Sequence, residues 1–323
     1  MLPKQTAERY LLSSSPHAHG PRTVSSLMLD VIVALLPAFG CAIFFFGLRA
    51  LLLAGTCIAA CLVTEALCRI AMKRENSIGD LSAVLTGLLL ALNLPPDLPL
   101  WMAAAGGVFA IGICKQAFGG LGYNPFNPAL AARAFMLISF TGPMTTWSSS
   151  AWQGLDAATT ATPLALVKKG AEGFDWSQVA IIKNLFLGNV NGCIGETSAL
   201  ALLLGAAYLL CRRTITWHIP VSFIGTVFVF AMIQGGVPPL VHVLSGGVVL
   251  GACFMATDYV TSPITAKGKL IFGCGCGLIT MLIRTAPTGA YPEGVSFSIL
   301  IMNALTPLIN RFTQPKPFGK VKK

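Results

Sequence analysis

An apolar stretch deep enough to cross a bilayer leaves a chain few folds, because in lipid every backbone N–H and C=O must find its partner within the protein. This chain carries such stretches over almost its whole length. They cover 27–47, 50–72, 81–94, 98–113 and 129–140, then 197–211, 219–233, 241–256, 270–283 and 295–309. The expected fold is therefore an all-α polytopic membrane protein of about ten transmembrane helices. With 54% hydrophobic and 11% charged residues, the composition lies outside the range of water-soluble domains. The first 26 residues hold no apolar run, so the span at 27–47 is expected to be a permanent anchor and not a cleaved signal peptide.

Two spans, 81–94 and 129–140, are short of the roughly 20 residues a straight crossing needs. One ends at Pro95-Pro96 and the other follows Asn124-Pro-Phe-Asn-Pro128. Short spans beside prolines predict broken or tilted helices around a cavity.

Net charge is +10, yet the bases form no aromatic-interleaved patch, which argues against nucleic acid as a partner. They mark topology instead. With the N-terminus inside, Arg69, Lys73, Arg74, Lys115, Arg212, Arg213, Lys267, Lys269 and the terminal lysines fall on inner segments. Outer segments keep only Arg49, Lys168, Lys169, Lys183 and Arg284, so an excess of inner bases predicts both termini in the cytoplasm.

An internal repeat follows. Leu81-Ser-Ala-Val-Leu-Thr-Gly87 resembles Leu244-Ser-Gly-Gly-Val-Val-Leu-Gly251, and Tyr123-Asn-Pro-Phe aligns with Tyr291-Pro-Glu-Gly. Two units of five spans, an odd number, must be inverted relative to each other. The expected layout is a cytoplasmic segment at 1–26, five-helix repeats at 27–140 and 195–310, an outer loop at 141–194 and a basic cytoplasmic tail at 311–323.

Asp30, Glu65, Glu196, Asp258 and Arg133 fall in or beside apolar spans, where an ionised group costs about 2.5–3.5 kcal/mol or more at the centre. Asp30, Glu65 and Asp258 are candidates for an ion pathway, with structural pairing as the equal alternative. Glu196 reads as an acid in the first turn of the span starting at 197, and Arg133 as an internal partner for a carboxylate. The ten cysteines form no CxxC pair and no zinc spacing, and read as small buried hydrophobes. Gly273-Cys-Gly-Cys-Gly277 lies inside a span and reads as close helix packing, not as a phosphate loop. No P-loop or dinucleotide fingerprint appears, so a driving force must come through partners or a bound cofactor.

The one long polar interval centres on Asp156-Ala-Ala-Thr-Thr-Ala-Thr-Pro-Leu164, an exposed hydroxyl-rich loop. Taken with Ser13-Ser-Ser-Pro-His17, Gly79-Asp-Leu-Ser-Ala83, Gly122-Tyr-Asn-Pro-Phe-Asn-Pro-Ala129, Gly195-Glu-Thr-Ser198, Phe254-Met-Ala-Thr-Asp-Tyr-Val-Thr-Ser-Pro263 and Tyr291-Pro-Glu-Gly-Val295, the chain resembles a known family over essentially its whole length. That family is the D subunit of the Rnf (Rsx) ion-translocating electron-transport complex, shared with the B subunit of the sodium-pumping NADH:quinone oxidoreductase.

The resemblance implies a bacterial inner-membrane subunit of a redox-driven translocase that moves Na+ or H+. It implies FMN joined through its phosphate to Thr162 by a flavin transferase, with Thr159, Thr160, Ala161 and Asp156 in the surrounding motif. Glycine is usual in the family where Thr160 stands here. A second, non-covalent flavin such as riboflavin is also implied, as are flavin and iron–sulfur partner subunits. From the residues alone, a passive channel or secondary transporter built on inverted repeats remains the rival, with a scaffold as a third reading.

Overall fold

The computed structural model describes residues 22–75, 77–147, 179–188, 190, 192–196, 198–286 and 294–315. Asp156, Thr159, Thr160, Ala161 and Thr162 lie outside these residues. Among the described residues, regular structure is entirely helical. Four helices are long and apolar enough to cross a membrane: α1 (Val24–Phe46), α2 (Leu48–Ala71), α12 (Ala266–Thr285) and α13 (Val295–Thr313).

Between them lie shorter elements. They are α3 (Ser82–Leu92), α4 (Leu100–Val108, continuing as a π segment Phe109–Gln116), α5 (Pro128–Ser139), α6 (Thr141–Thr145) and α7 (Val179–Leu187). After them come α8 (Ala199–Cys211), α9 (His218–Gln234), α10 (Pro239–Leu244) and α11 (Val248–Leu250, continuing as a π segment Gly251–Met255). The chain is a multi-pass helical membrane protein.

Local chemistry sets the helix ends. Thr23, Asn127, Ser198 and Thr265 each accept a backbone N–H of the first turn that follows, satisfying donors the helix itself cannot. Pro128 sits in the first turn of α5, where its missing N–H costs nothing.

The 11 residues of α3 rise only about 16 Å, half of a ~30 Å hydrocarbon layer. It ends at Asn93, and Pro95-Pro96 follows. The apolar run 241–256, expected as one span, is two helices: it breaks at Ser245-Gly246-Gly247, where both glycines take positive φ. Leu81 and Gly247, the residues that open α3 and α11, share the left-handed conformation, with φ of 61° and 70°. The sequence match pairs Leu81 with Leu244, whereas the left-handed backbone is shared by Leu81 and Gly247.

Glycines bring the helices close. A Cβ on Gly87 of α3 would lie 2.7 Å from Ile58 Cα of α2, and one on Gly107 of α4 would lie 3.0 Å from Ala60 Cβ. Gly273 and Gly277 of α12 press on Ser222, Phe223 and Thr226 of α9, and Gly275 presses on Met302 of α13. The Gly-Cys-Gly-Cys-Gly run is thus a packing face, as its place inside a span suggests. Of the cysteines, Cys57, Cys61, Cys114, Cys193, Cys253 and Cys276 are buried, Cys41 and Cys68 are half-buried, and Cys211 and Cys274 are exposed.

Candidate functional site

The broken helices meet over a pocket. Its wall takes Leu27, Met28 and Val31 from α1, Ser82, Leu85, Thr86 and Leu89 from α3, Lys115 from the first π segment, and Asn124, Asn127 and Ala129 from the entry to α5. Thr214 and Ile215 close one side, and Cys253, Phe254, Thr257, Asp258 and Tyr259 the other. These groups belong to the start of α1, α3 and α5 and to the end of α8 and α11, so the pocket opens at one end of the bundle. Its open space, counted out to the mouth, is about 790 Å³. The lining is mainly apolar with a few amides, hydroxyls and one carboxylate, the usual make-up of a small-molecule site. Asn124 adds a buried amide oxygen that takes no hydrogen bond from any described residue.

All three candidate acids reach this pocket. Asp258 lines it, and its carboxylate accepts from its own turn, from Val260 N–H at 3.5 Å and Thr261 Oγ1 at 3.1 Å.

Asp30, buried in α1, reaches it through Thr214. Its Oδ2 accepts from Thr214 Oγ1 at 3.2 Å, and its Oδ1 accepts from Arg212 Nη2 at 3.2 Å and Tyr208 hydroxyl at 3.3 Å. The Thr214 carbonyl in turn accepts from the Tyr259 hydroxyl. Asp30 thereby ties α1 to the turn between α8 and α9 and to the loop after α11.

Glu65 reaches the pocket through Lys115. Both are fully buried, and Lys115 Nζ donates to Glu65 Oε1 at 2.9 Å, to Oε2 at 3.0 Å and to Ser82 Oγ at 2.6 Å. Ser77 Oγ and Gln116 Nε2 complete the carboxylate's shell at 2.6 Å and 3.0 Å. The lysine's three donors are therefore all spent, which is what a charge pair removed from water requires. Lys115, counted in the sequence among cytoplasmic loop bases, is instead an internal counter-charge held by a π segment at the start of α3. Its partner stands fifty residues away, and no local pattern links the two.

Glu196 also differs from its reading as a first-turn acid. Helix α8 begins at Ala199, and Glu196 turns back to accept from Arg133 Nη1 at 3.3 Å, both side chains buried. Arg133 Nη1 donates as well to Asn93 Oδ1 at 2.6 Å, and its Nη2 to Cys193 Sγ at 3.2 Å. Ile194 N–H and Gly195 N–H bond to the carbonyls of Leu94 and Leu92, so this strip of chain closes the end of α3. Arg133 is a partner for a carboxylate, as expected.

Arg284, read as an outer-loop base, is buried too. It donates to the carbonyls of His242, Ser245 and Gly246, at 2.6, 3.0 and 3.2 Å, and so satisfies the acceptors left where α10 breaks. A cation from a neighbouring helix thus stands at the start of each short helix, Lys115 at α3 and Arg284 at α11.

A sequence model of the NQR2, RnfD, RnfE family matches residues 11–319. The chain belongs to this family. It is 51% identical over 315 residues to the D subunit of the Na(+)-translocating ferredoxin:NAD(+) oxidoreductase complex of Acetobacterium woodii, covering 97% of this chain and 96% of the relative. It is 48% identical to the D subunit of the proton-translocating ferredoxin:NAD(+) oxidoreductase complex of Clostridium ljungdahlii, covering 96% of each. It is 40% identical to the D subunit of the ion-translocating oxidoreductase complex of Stutzerimonas stutzeri, covering 92% of this chain and 93% of the relative. These NQR2, RnfD, RnfE relatives align with the whole helical body and the polar interval, so the family resemblance read from the motifs holds across the chain.

Proposed function

We propose that this chain is the D-type membrane subunit of a bacterial ion-translocating ferredoxin:NAD+ oxidoreductase complex, carrying FMN esterified to Thr162 and coupling electron transfer to the movement of Na+ or H+. The observation that carries this reading is the end-to-end match to D subunits of such complexes, at about half identity. One of those relatives is named for Na+ and the other for protons, at nearly equal identity, so the reading commits to a small cation and to neither ion.

The helical body suits the role. In the proposed topology ten spans form two inverted repeats, with both termini on the cytoplasmic side and Thr162 on the outer side. Supporting this are the shared left-handed residue before α3 and α11 and the cation that stands at each. Asp258 lines the pocket, Asp30 and Glu65 bond to its wall through Thr214 and Lys115, and the three are its candidate ion-route carboxylates. Two of them, Asp30 and Glu65, are held by positive partners, so Asp258 is the one whose charge faces the pocket most directly.

The pocket is also the place for a second, non-covalent flavin. Asn124, Asn127, Thr86 and Thr257 would bind its polar edge, and Leu85, Leu89 and Phe254 its ring faces. A bound flavin supplies one- and two-electron transfer, while the protein orients it and excludes water. The partners are the flavin and iron–sulfur subunits of the complex, and a flavin transferase matures Thr162 with Asp156, Thr159, Thr160 and Ala161 as its recognition motif.

The test is Thr162→Ala in the assembled complex. In-gel flavin fluorescence of the protein after denaturation is expected to disappear, together with ferredoxin-driven ion uptake into vesicles. A variant that keeps both would remove FMN from this residue.

A further inference from the structure

The serine that opens α3 places its hydroxyl between a buried cation and a carboxylate. Lys115 Nζ donates to Ser82 Oγ at 2.6 Å, and Ser82 Oγ donates to Asp80 Oδ1. The sense of both bonds is forced, because an ammonium can only donate and a carboxylate can only accept. The hydroxyl is not needed to cap the helix, since Asp80 Oδ1 already accepts the Ser82 N–H at 2.8 Å. Two successive bonds that point the same way let a proton leave Lys115 and another arrive at Asp80 in one shift.

The three groups run from the pocket towards water. Lys115, 2% exposed, and Ser82, 4% exposed, both line the pocket, so a proton released against them has no direct contact with solvent. Asp80 is half-buried, stands in the turn Ile78–Asp80 beside exposed Gly79, and is not part of the pocket wall. Ser77, the other hydroxyl of this cluster, donates to Glu65 and so points inward.

We propose that Ser82 relays a proton from Lys115, on the pocket wall, to Asp80 and on to water when a redox group seated in the pocket is oxidised. The proposal rests on the reading above that the pocket takes a flavin. As Lys115 Nζ passes one proton to Ser82 Oγ, it takes one from an N–H of that group, and the proton already on Ser82 Oγ moves to Asp80 Oδ1. The electron leaves separately, to a neighbouring redox centre of the complex, which it reduces. Asp80 then gives its proton to water. Lys115 ends as an ammonium still paired with Glu65, and the pocket loses one electron and one proton together, so no charge is stranded in the bundle. Reduction runs the same path backwards from a protonated Asp80.

The test uses the full-length Thr162→Ala chain in detergent, so that riboflavin, added as the probe, is the one flavin present. Bound riboflavin is reduced and then oxidised by rapid mixing with ferricyanide in weakly buffered solution, while flavin absorbance and a pH-indicator dye are followed together. Proton release is expected to keep pace with flavin oxidation in this parent chain, and to lag at least about tenfold behind it in Ser82→Ala. Asp80→Asn, at a half-exposed site outside the pocket, is expected to lag as well and to regain speed with added formate, a free carboxylate in place of the lost one. A purely structural role for Ser82 would lower riboflavin affinity or the thermal midpoint without separating proton release from oxidation. Release that keeps pace with oxidation in either variant overturns the relay, and Asp80→Asn decides the question where Ser82→Ala does not fold. A parent chain that binds no riboflavin defeats the pocket reading and the relay with it, a result distinct from bound riboflavin whose proton leaves both variants without a lag.

Discussion

At the scale of single residues, the buried charges of this bundle are each met by polar or charged partners. Glu65 and Lys115 satisfy each other with Ser77, Ser82 and Gln116, Arg133 meets Glu196, and Arg284 is spent on backbone carbonyls. Removing one member of a buried pair leaves the other charge uncompensated, which costs about 3–5 kcal/mol, whereas removing both for apolar groups is close to neutral. Glu65→Gln and Lys115→Met are therefore each expected to lower the thermal midpoint of the detergent-purified protein clearly, and Glu65→Leu with Lys115→Met to recover most of the loss. Additive losses in the double variant would show that the two side chains are not coupled. The sequence displays each of these residues but not the pairing. Lys115 and Arg284 stand next to loops, where bases are normally topological markers, and their partners are fifty and about forty residues away.

At the scale of elements, small residues let the helices approach closely around a core of larger apolar side chains, as expected where lipid chains solvate leucine as well as a neighbouring helix does. Gly277 of α12 meets the Phe223 carbonyl of α9 at 2.8 Å from where its Cβ would be, while Gly225 on α9 has nothing within 4 Å. Gly277→Val is expected to destabilise by roughly 1–3 kcal/mol through overpacking, and Gly225→Ala to be neutral or mildly stabilising by helix propensity. Thermal unfolding of the two purified variants checks the contrast, and equal effects would mean that α9 and α12 do not pack through this face. This packing is legible in the run from Gly273 to Gly277 because it sits within an apolar span. The break between α10 and α11 is less so. Gly246-Gly247 inside 241–256 carries the signal, but hydropathy averages over a two-residue turn and leaves one continuous run. In letters Leu244-Ser-Gly matches Leu81-Ser-Ala, while the shared left-handed backbone falls on Leu81 and Gly247, a conformation that hydropathy does not carry.

At the scale of the whole molecule, hydropathy, family membership and helix architecture agree on a multi-pass component of a bacterial membrane complex. The proposed sidedness has its own test. Cysteines placed at Ser14 and Lys322 are expected to react with a membrane-impermeant maleimide only in inverted vesicles, and one placed at Ala157 only in right-side-out vesicles. Labelling of Ala157→Cys from the cytoplasmic side would put the threonine motif on the wrong face for an outer flavin.

The proposed FMN ester on Thr162 is tested by intact-protein and peptide mass spectrometry. The protein, produced with its flavin transferase, is digested and mapped across Asp156 to Lys168. One FMN-sized addition is expected, lost as a phosphate-linked group from Thr162 and absent in Thr162→Ala. An unmodified Thr162 in otherwise active complex, or the same addition on a different residue, would contradict it.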